Sequence, residues 1–413
     1  MELYDKIKDG TNDVFYIWRK EIHMILHDEG AQLFIFFLCL VYPLLYSFIY
    51  NYEVVREVPV VVVDDSSSFE SRKFLRYLNA SPDVNIIDHA PNMSNAKETL
   101  RKQGAYGVVH IPESFEKDIA RGIQAHVSIY CDLSGLLYYK AIYGTCTDVS
   151  LKMNKEIKIA RLGNTTNRQD EISTAPIEYT DIALFNPQKG MASFLIPAVL
   201  MLIIQQSLLL CVGLLAGTSR ENNRFKDLVP IHRKYSGTLR IVFGKSLAYI
   251  LIYSLLAAYV LIITPKLFNL IQLANFGTLV MFILPYILSC VFFAMTVSIF
   301  MRNRENCMLI VVFTSLPLLF ISGISWPRSN EPMVWKALSY IFPSTFGING
   351  FVRINSMGAL LKDVEPEFRM LWLQTGAYFI TTCLVYRYQI LLSRRHVLDR
   401  LKEIKQKAKA EVQ

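Results

Sequence analysis

The most constraining feature of the sequence is an uncharged apolar run between Lys189 and Arg220. Its residues are GMASFLIPAVLMLIIQQSLLLCVGLLAGTS, more than the roughly 20 apolar residues that a helix needs to cross a bilayer. A basic segment follows at once, and we expect it to face the cytoplasm, because short loops rich in Lys and Arg stay on the side from which insertion begins. The sequence therefore predicts a spanning helix joined to a cytoplasmic loop over 217–245, whose cations are Arg220, Arg224, Lys226, Arg233, Lys234, Arg240 and Lys245.

The composition indicates that one part of the chain lies in a membrane and another part is water-soluble. With 52% hydrophobic residues and a mean hydropathy of +0.29 over 413 residues, the chain is too apolar for a soluble protein of its size, yet it has long polar stretches. The net charge of +8 lies mainly in the loop 217–245 and in the tail 394–413, both next to apolar runs. Membrane topology and anionic lipid headgroups explain that charge better than nucleic-acid binding does, so we expect no nucleic-acid partner.

The apolar runs predict about six transmembrane helices in a 1+5 arrangement, with both termini in the cytoplasm. Residues 1–29 are predicted to hold an amphipathic helix on the inner membrane face, followed by a first span at 30–52 that Pro43 could kink. Five further spans are predicted within 190–393. A mixed aromatic segment at 323–368 is too polar to span and predicts short helices at the outer interface. A basic cytoplasmic tail at 394–413 ends the chain.

Residues 53–189 are polar and predict an inserted α/β domain with a largely parallel or mixed sheet. Strand patterns at 59–63, 84–87, 105–111 and 125–131 alternate with helical patterns at 69–78, 94–102, 113–121 and 136–162. The serines after the first strand predict a helix N-cap. If the first span starts inside, the domain lies outside the cytoplasmic membrane, which is the periplasm in a Gram-negative cell.

The seven cysteines form neither a CxxC motif nor a Cys/His cluster, so no metal site is expected. Five lie in apolar runs, where a cysteine behaves as a small hydrophobe. Cys131 and Cys146 lie in the inserted domain, in an oxidising space if that domain is periplasmic. The sequence leaves two alternatives for this pair: a disulfide bond, or two buried thiols.

Several motifs occur in the same order as in one family of membrane proteins. They are PVVVVDDS at 59–66, GVVHIP at 107–112, IYCDLS at 129–134, FNP at 185–187, SGISWP at 322–327, PM at 332–333 and FPST at 342–345. In this order and spacing the chain resembles permeases of ABC type-2 transporters of the multidrug-export kind. The N-terminal Trp18, Arg19, Lys20 and Glu21 are similar to the elbow helix of that family.

The resemblance implies two permease chains, identical or paralogous, working with two ATPase chains. It implies that a coupling helix docks on the ATPase and includes Arg220, Glu221, Asn222, Arg224, Phe225 and Lys226. Arg220 and Glu221 match the family's Arg-Glu-x-Glu-x-Gly-Thr segment, whereas the later Glu and Gly-Thr are absent here. A periplasmic adaptor and an outer-membrane channel are further partners that the resemblance suggests, as is membrane lipid.

The chain has no Gly-x-x-x-x-Gly-Lys-Ser/Thr loop to cradle phosphates, so we expect ATP and Mg to bind the partner subunit and no cofactor to bind this chain. Gln205 and Gln206 are candidates for lining a substrate path, with interhelical hydrogen bonding as the equal alternative. Trp326 and Phe342 are candidates for an outer gate, with an interfacial aromatic belt as the alternative.

Two classes of function remain after the sequence has been considered. One is the permease subunit of an ATP-driven exporter of hydrophobic or amphipathic small molecules, and the other is a non-transporting scaffold or sensor whose external domain binds a ligand or partner. The spans carry almost no acids, which disfavours an ion-coupled carrier. A neighbouring reading frame for an ATPase would favour export.

Overall fold

The computed structural model describes residues 2–102, 104–163, 166–175, 177, 182–221 and 237–410. They form two compact units, one made of Met1–Glu53 with Leu184–Gln413, and the other of Val54–Ala183. The described part of the first unit is helical, and the second combines helices with a four-stranded sheet. The inserted domain predicted at 53–189 covers the second unit.

The elements follow one another along the chain in three groups. Two helices come first: α1 (Glu2–His27) and α2 (Glu29–Ile49). The inserted unit follows, with β1 (Val58–Asp64), α3 (Phe69–Asn79), β2 (Val84–His89), α4 (Met93–Arg101), β3 (Gly107–Ile111), α5 (Phe115–Arg121), β4 (Ser128–Cys131), α6 (Leu136–Leu162) and α7 (Asn167–Thr174). The last group is α8 (Met191–Glu221), α9 (Thr238–Leu267), α10 (Phe276–Phe300), α11 (Arg304–Phe320), α12 (Met333–Ser339), α13 (Pro343–Met357) and α14 (Glu365–Ala410).

Four described helices are long and apolar enough to cross a membrane: α2, α8, α9 and α10. The 17 residues of α11 and the 46 residues of α14 contain the other two predicted spans, so the count of six stays a prediction. The segment predicted at 323–368 does form short helices, α12 and α13, after a 3₁₀ turn at Arg328–Asn330.

Helix α8 is the centre of the first unit, because its whole apolar window is buried. It packs against α2, α10, α11 and α13, while α10 also packs along α14. Two glycines of α13 allow close packing against α10, since a Cβ on Gly350 would lie 2.2 Å from the ring of Phe282 and one on Gly347 would lie 2.3 Å from the ring of Tyr286. A continuous apolar sequence therefore becomes the buried axis of the bundle.

Two of the apolar helices contain a π-helical turn immediately before a proline. Phe36–Val41 precedes Pro43 in α2, and Tyr259–Ile263 precedes Pro265 in α9. Proline has no N–H to donate to the carbonyl four residues earlier, and a π turn is one way in which a helix accommodates this loss. In α9 that carbonyl belongs to Leu261 and accepts a hydrogen bond of 2.9 Å from the Gln272 side chain. The expected disturbance at Pro43 thus takes the form of a π turn.

The sheet of the inserted unit has the order β2-β1-β3-β4, in which β4 alone is antiparallel to its neighbour. The prediction of a parallel or mixed sheet is confirmed as mixed. Val60 and Val62 of β1 pack with α3 and α6, whereas Val61 and Val63 pack with α4 on the other face. A strand covered on both faces needs apolar residues at successive positions, which explains its unbroken valine run.

The predicted N-cap after β1 is Ser68, whose hydroxyl accepts from the Ser71 N–H while the Ser71 hydroxyl accepts from the Ser68 N–H. Asp64 accepts a hydrogen bond of 2.7 Å from the Ser71 hydroxyl and so fixes the turn. Farther along, Lys73 of α3 pairs with Glu156 of α6 at 2.8 Å. This pairing lowers the pKa of the Glu156 carboxyl and raises the pKa of the Lys73 ammonium.

Candidate coupling site

The amphipathic helix α1 packs along the first turns of α9. Its buried face includes Ile17 and Ile25, each 1% exposed. A Cβ on Gly244 of α9 would lie 2.8 Å from the Cβ of Ile17 and 3.0 Å from the Val14 carbonyl oxygen. Only glycine allows this approach without a shift of the backbone, so the contact between the two helices depends on position 244.

Three ion pairs tie the acids of α1 and of the turn after it to distant parts of the chain. Asp13 pairs with Arg240, and Glu21 pairs with Lys245, both in the first turns of α9. Asp28 caps the N-terminus of α2 and also pairs with Arg304 at the start of α11 at 2.9 Å. The partners are separated by more than 200 residues, so these pairs hold the amphipathic helix to the bundle.

The pair of Glu21 and Lys245 is the most deeply buried of the three. The Lys245 Nζ lies 3.0 and 2.9 Å from the two carboxylate oxygens, and the two side chains are 6% and 2% exposed. The Tyr249 hydroxyl donates a further hydrogen bond of 2.7 Å to the same carboxylate. Because Glu21 is buried together with a cation and a donor, the cost of removing its charge from water is largely offset.

The C-terminal end of α8 is fastened to the turn between α10 and α11. Gly217 lies against that turn, and a Cβ there would be 2.9 Å from the backbone carbon and oxygen of Asn303. About one helical turn after Gly217, the Arg220 guanidinium donates hydrogen bonds to the Ser298 and Met301 carbonyls. These carbonyls lie at a helix C-terminus, where acceptors lack intrahelical partners and a cation is favourable.

The structure places some of the predicted coupling residues and not others. Glu221 is exposed at the last residue of α8, directly after the half-buried Arg220. Asn222, Arg224, Phe225 and Lys226 lie outside the described residues. The segment that contains them begins after α8 and ends before α9, and both of these flanking ends are held in place by the contacts described above.

The predicted elbow residues all lie on α1. Glu21 is the buried member of the ion pair, and Trp18 is half-buried with its ring 5.0 Å from the ring of Phe15. Arg19 is exposed and Lys20 is half-buried. The helix thus presents one face to the bundle and the face with Arg19 to its surroundings.

Comparison with known families decides the class of the protein. A family described as "ABC-2 family transporter protein" matches residues 31–384. The chain belongs to this family. It is an ABC-2 permease and a multi-pass membrane protein, of a kind that is normally the non-catalytic membrane component of its transporter and that associates with an ABC ATPase subunit. No curated protein matches the chain.

Gln205 and Gln206 of this permease are buried within the bundle and bond to different helices. The Gln205 side-chain oxygen accepts a hydrogen bond of 2.6 Å from the Ser344 N–H, a free donor in the first turn of α13. The Gln206 amide donates to the Thr314 hydroxyl of α11 at 3.3 Å. Both contacts are the interhelical bonding considered as the alternative, and a path-lining role stays a prediction.

Trp326 and Phe342 have different surroundings. Trp326 is 57% exposed and lines an open cavity of about 270 Å³ with Trp335 and the end of α11. Phe342 caps α13 and packs edge-on against Phe293, with ring centroids 5.8 Å apart. The structure gives the two rings separate sets of neighbours, and the gate formed by both stays a prediction.

Cys131 and Cys146 are free thiols in the structure and belong to the same core of the inserted unit. Burial raises the pKa of the Cys146 thiol to about 12, with a smaller contribution from the nearby Cys131. The two side chains are therefore close together without a bond, and the disulfide remains a prediction.

Sequence reasoning missed the roles of Asp13, Tyr249 and the partners of the basic residues. The sequence predicts Arg240 and Lys245 only as cytoplasmic cations. The available signal was the presence of Asp13, Glu21 and Asp28 among the acids in and just after α1, because acids on a helix at an apolar surface need partners. The sequence does not show which cation each acid meets.

Proposed function

We propose that this permease is the membrane subunit of an ATP-driven exporter that moves hydrophobic or amphipathic, drug-like or lipid-like, small molecules out of the cytoplasm or the inner membrane. It works as a homodimer or with a related permease, and a separate subunit binds ATP and Mg. The observation that carries the proposal is the set of three ion pairs that join α1 to α9, and the turn between α1 and α2 to the start of α11. Through these pairs, the helices near segment 222–236 are expected to move together as a rigid body.

The contacts suggest how a conformational change of the ATPase is transmitted to the membrane helices. Segment 222–236 leads directly into α8 on one side and α9 on the other. Helix α8 is 31 residues long and is buried along its apolar window, so a displacement at Glu221 moves the axis of the bundle. Because α1 is bonded to α9, and the turn after α1 to the start of α11, these elements move together with it. Rigid-body rocking of this kind changes access to a path without bending any helix.

The same ion pairs support the proposed membrane topology. Asp13 and Glu21 precede α2, whereas their partners follow α8, so the chain crosses the membrane an even number of times between them. Helices α2 and α8 supply two crossings. Between Asp28 and Arg304 the chain includes α9 and α10 in addition to α2 and α8, so the number of membrane crossings is again even. This parity agrees with α1 in the cytoplasm and with a periplasmic segment between α2 and α8. The proposal completes the topology with α11 and α14 as further spans.

The test is co-purification of the full chain with candidate ABC ATPase subunits of the same cell, followed by measurement of ATP hydrolysis in lipid nanodiscs. Charge reversal is made at Glu221 and at Arg224, singly and together. Arg220 is left intact, because its bonds to the turn before α11 stabilise the bundle and their loss would confuse uncoupling with unfolding. We expect each reversal to weaken ATPase association or to abolish the response of hydrolysis to the permease.

Arg369→Glu is the matched control, since Arg369 is an exposed cation in the first turns of α14, where it pairs with Glu365. It changes the net charge as Arg224→Glu does and should leave association unchanged. If no ATPase associates with the wild-type chain, the exporter proposal is wrong and the scaffold or sensor alternative takes its place. Equal effects of the control and the test variants would place docking elsewhere.

A further inference from the structure

The inserted unit contains a cavity of about 520 Å³ between α3, α5 and α6, which the function proposed above does not use. Phe74, Phe115 and Met153 line it, and each is no more than 5% exposed. Ile119 and Val127 add half-buried apolar surface. Its volume falls within the roughly 300–1,000 Å³ of small-molecule sites.

One wall of this cavity is strongly cationic. Lys155, Lys158 and Arg161 line it from successive turns of α6, and no Asp or Glu is among the described residues that line it. The two lysines form no ion pair within the described part of the chain, whereas Lys73 nearby is paired with Glu156. Like charges three and four residues apart on a helix repel one another, so this arrangement costs stability in the empty domain.

The arrangement of charge and apolar surface selects the chemistry of a ligand. The Arg161 guanidinium donates to the Ile119 carbonyl and is thereby held at the edge of the cavity. An anionic head placed among the three cations would gain charge-assisted hydrogen bonds, and an attached alkyl chain would cover the phenylalanine rings and Met153. A neutral or cationic head would leave the repulsion between the lysines in place.

We propose that this cavity binds an acidic single-chain amphiphile, with its carboxylate or phosphate head at Lys155, Lys158 and Arg161 and its chain against Phe74, Phe115 and Met153. A solvated basic surface is the ordinary explanation for lysines on a helix. Here, however, the cations border a cavity with an apolar floor, and exposed Ile123 and Leu151 also line it. The site is independent of ATPase coupling and stands or falls separately from the exporter proposal.

The test uses the full chain in nanodiscs of zwitterionic lipid and a dodecanoate carrying a photoreactive diazirine in its chain. After illumination, mass spectrometry locates the labelled residues. We expect label on α5 and α6 at the cavity, with competition by unlabelled dodecanoate or dodecyl phosphate and none by dodecyltrimethylammonium. Stronger competition by the phosphate than by the carboxylate would identify a lipid phosphate as the class of ligand, and the reverse order would identify a fatty acid.

Lys155→Gln with Lys158→Gln should reduce cavity labelling by roughly tenfold, since bonds to charged groups are the strong ones. The matched control is Lys140→Gln with Lys152→Gln, which removes two cations of the same helix that do not line the cavity. Lys152 instead lies over the Tyr77 ring, 4.0 Å from its centroid. Label confined to the membrane helices, equal loss in both variants, or equal competition by the cationic amphiphile would overturn the proposal.

Discussion

Replacing Lys245 by Met tests the buried ion pair between α1 and α9. The substitution keeps the length of the side chain but leaves the Glu21 carboxylate, 2% exposed, with the Tyr249 hydroxyl as its remaining partner in the structure. Breaking a buried pair by removing one partner costs about 3–5 kcal/mol, because the other charge stays buried. We therefore expect Lys245→Met to lower the free energy of unfolding by about that amount and to release α1.

The free energy of unfolding is measured by titrating sodium dodecyl sulfate into mixed micelles while following circular dichroism. Adding Glu21→Gln to Lys245→Met should restore most of the loss, since a neutral amide can still accept from Tyr249. Arg369→Met provides the surface control, because its pair with Glu365 is 74% and 54% exposed and such helical pairs contribute about 0.3–0.5 kcal/mol. A loss below about 1 kcal/mol for Lys245→Met, or no recovery in the double variant, would refute the reasoning.

Three further predictions concern packing, protonation and thiol chemistry. Gly217→Ala should destabilise the bundle by about 1–3 kcal/mol because the new methyl group meets backbone, whereas Gly376→Ala, with no atom within 4 Å, should not; thermal unfolding in detergent checks both. Lys73 lowers the pKa of Glu156, so the pair stabilises the inserted unit above the ordinary carboxyl value of 4.5 and loses this effect as pH falls through the lowered pKa; hydrogen exchange of α3 and α6 should show this acid dependence, and Lys73→Met should reduce it. Cys146, whose pKa burial raises to about 12, should react with iodoacetamide only on unfolding; a thiol that stays blocked in denaturant until reductant is added would establish the predicted disulfide.

Much of the fold could be predicted from local sequence patterns. The long helix α6 has the bounds that its pattern predicts, Leu136–Leu162, and β1 begins and ends within one residue of its valine run. Apolar periodicity and capping residues act within a few turns of chain, so their signal lies in neighbouring residues. Helix α8 could be predicted in the same way, because an uncharged apolar run of that length is long enough to cross a bilayer.

The contacts between distant segments could not be predicted in this way. The sequence favours a substrate path and an interhelical hydrogen bond equally as the role of Gln205. In the structure its partner, the Ser344 N–H, is 139 residues away. In the structure Ser344 follows the first residue of α13, so its N–H has no partner within that helix, and no local sequence pattern indicates which distant side chain reaches it. The pairing of acids in and just after α1 with cations of α9 and α11 could not be predicted for the same reason.

These pairings also narrow the search for the surface that docks the ATPase. Seven cations define the basic loop in the sequence, but Arg220 is bonded to backbone carbonyls, and Arg240 and Lys245 are paired with acids of α1. A cation already engaged inside the permease contributes little to binding another protein, because its field is largely cancelled by its partner. The candidates for binding a partner are therefore the exposed Glu221 and the other cations of the loop, Arg224, Lys226, Arg233 and Lys234, which lie outside the described residues. Variants in segment 221–236 should change ATPase affinity and its salt dependence, whereas variants at Arg240 and Lys245 should act through stability.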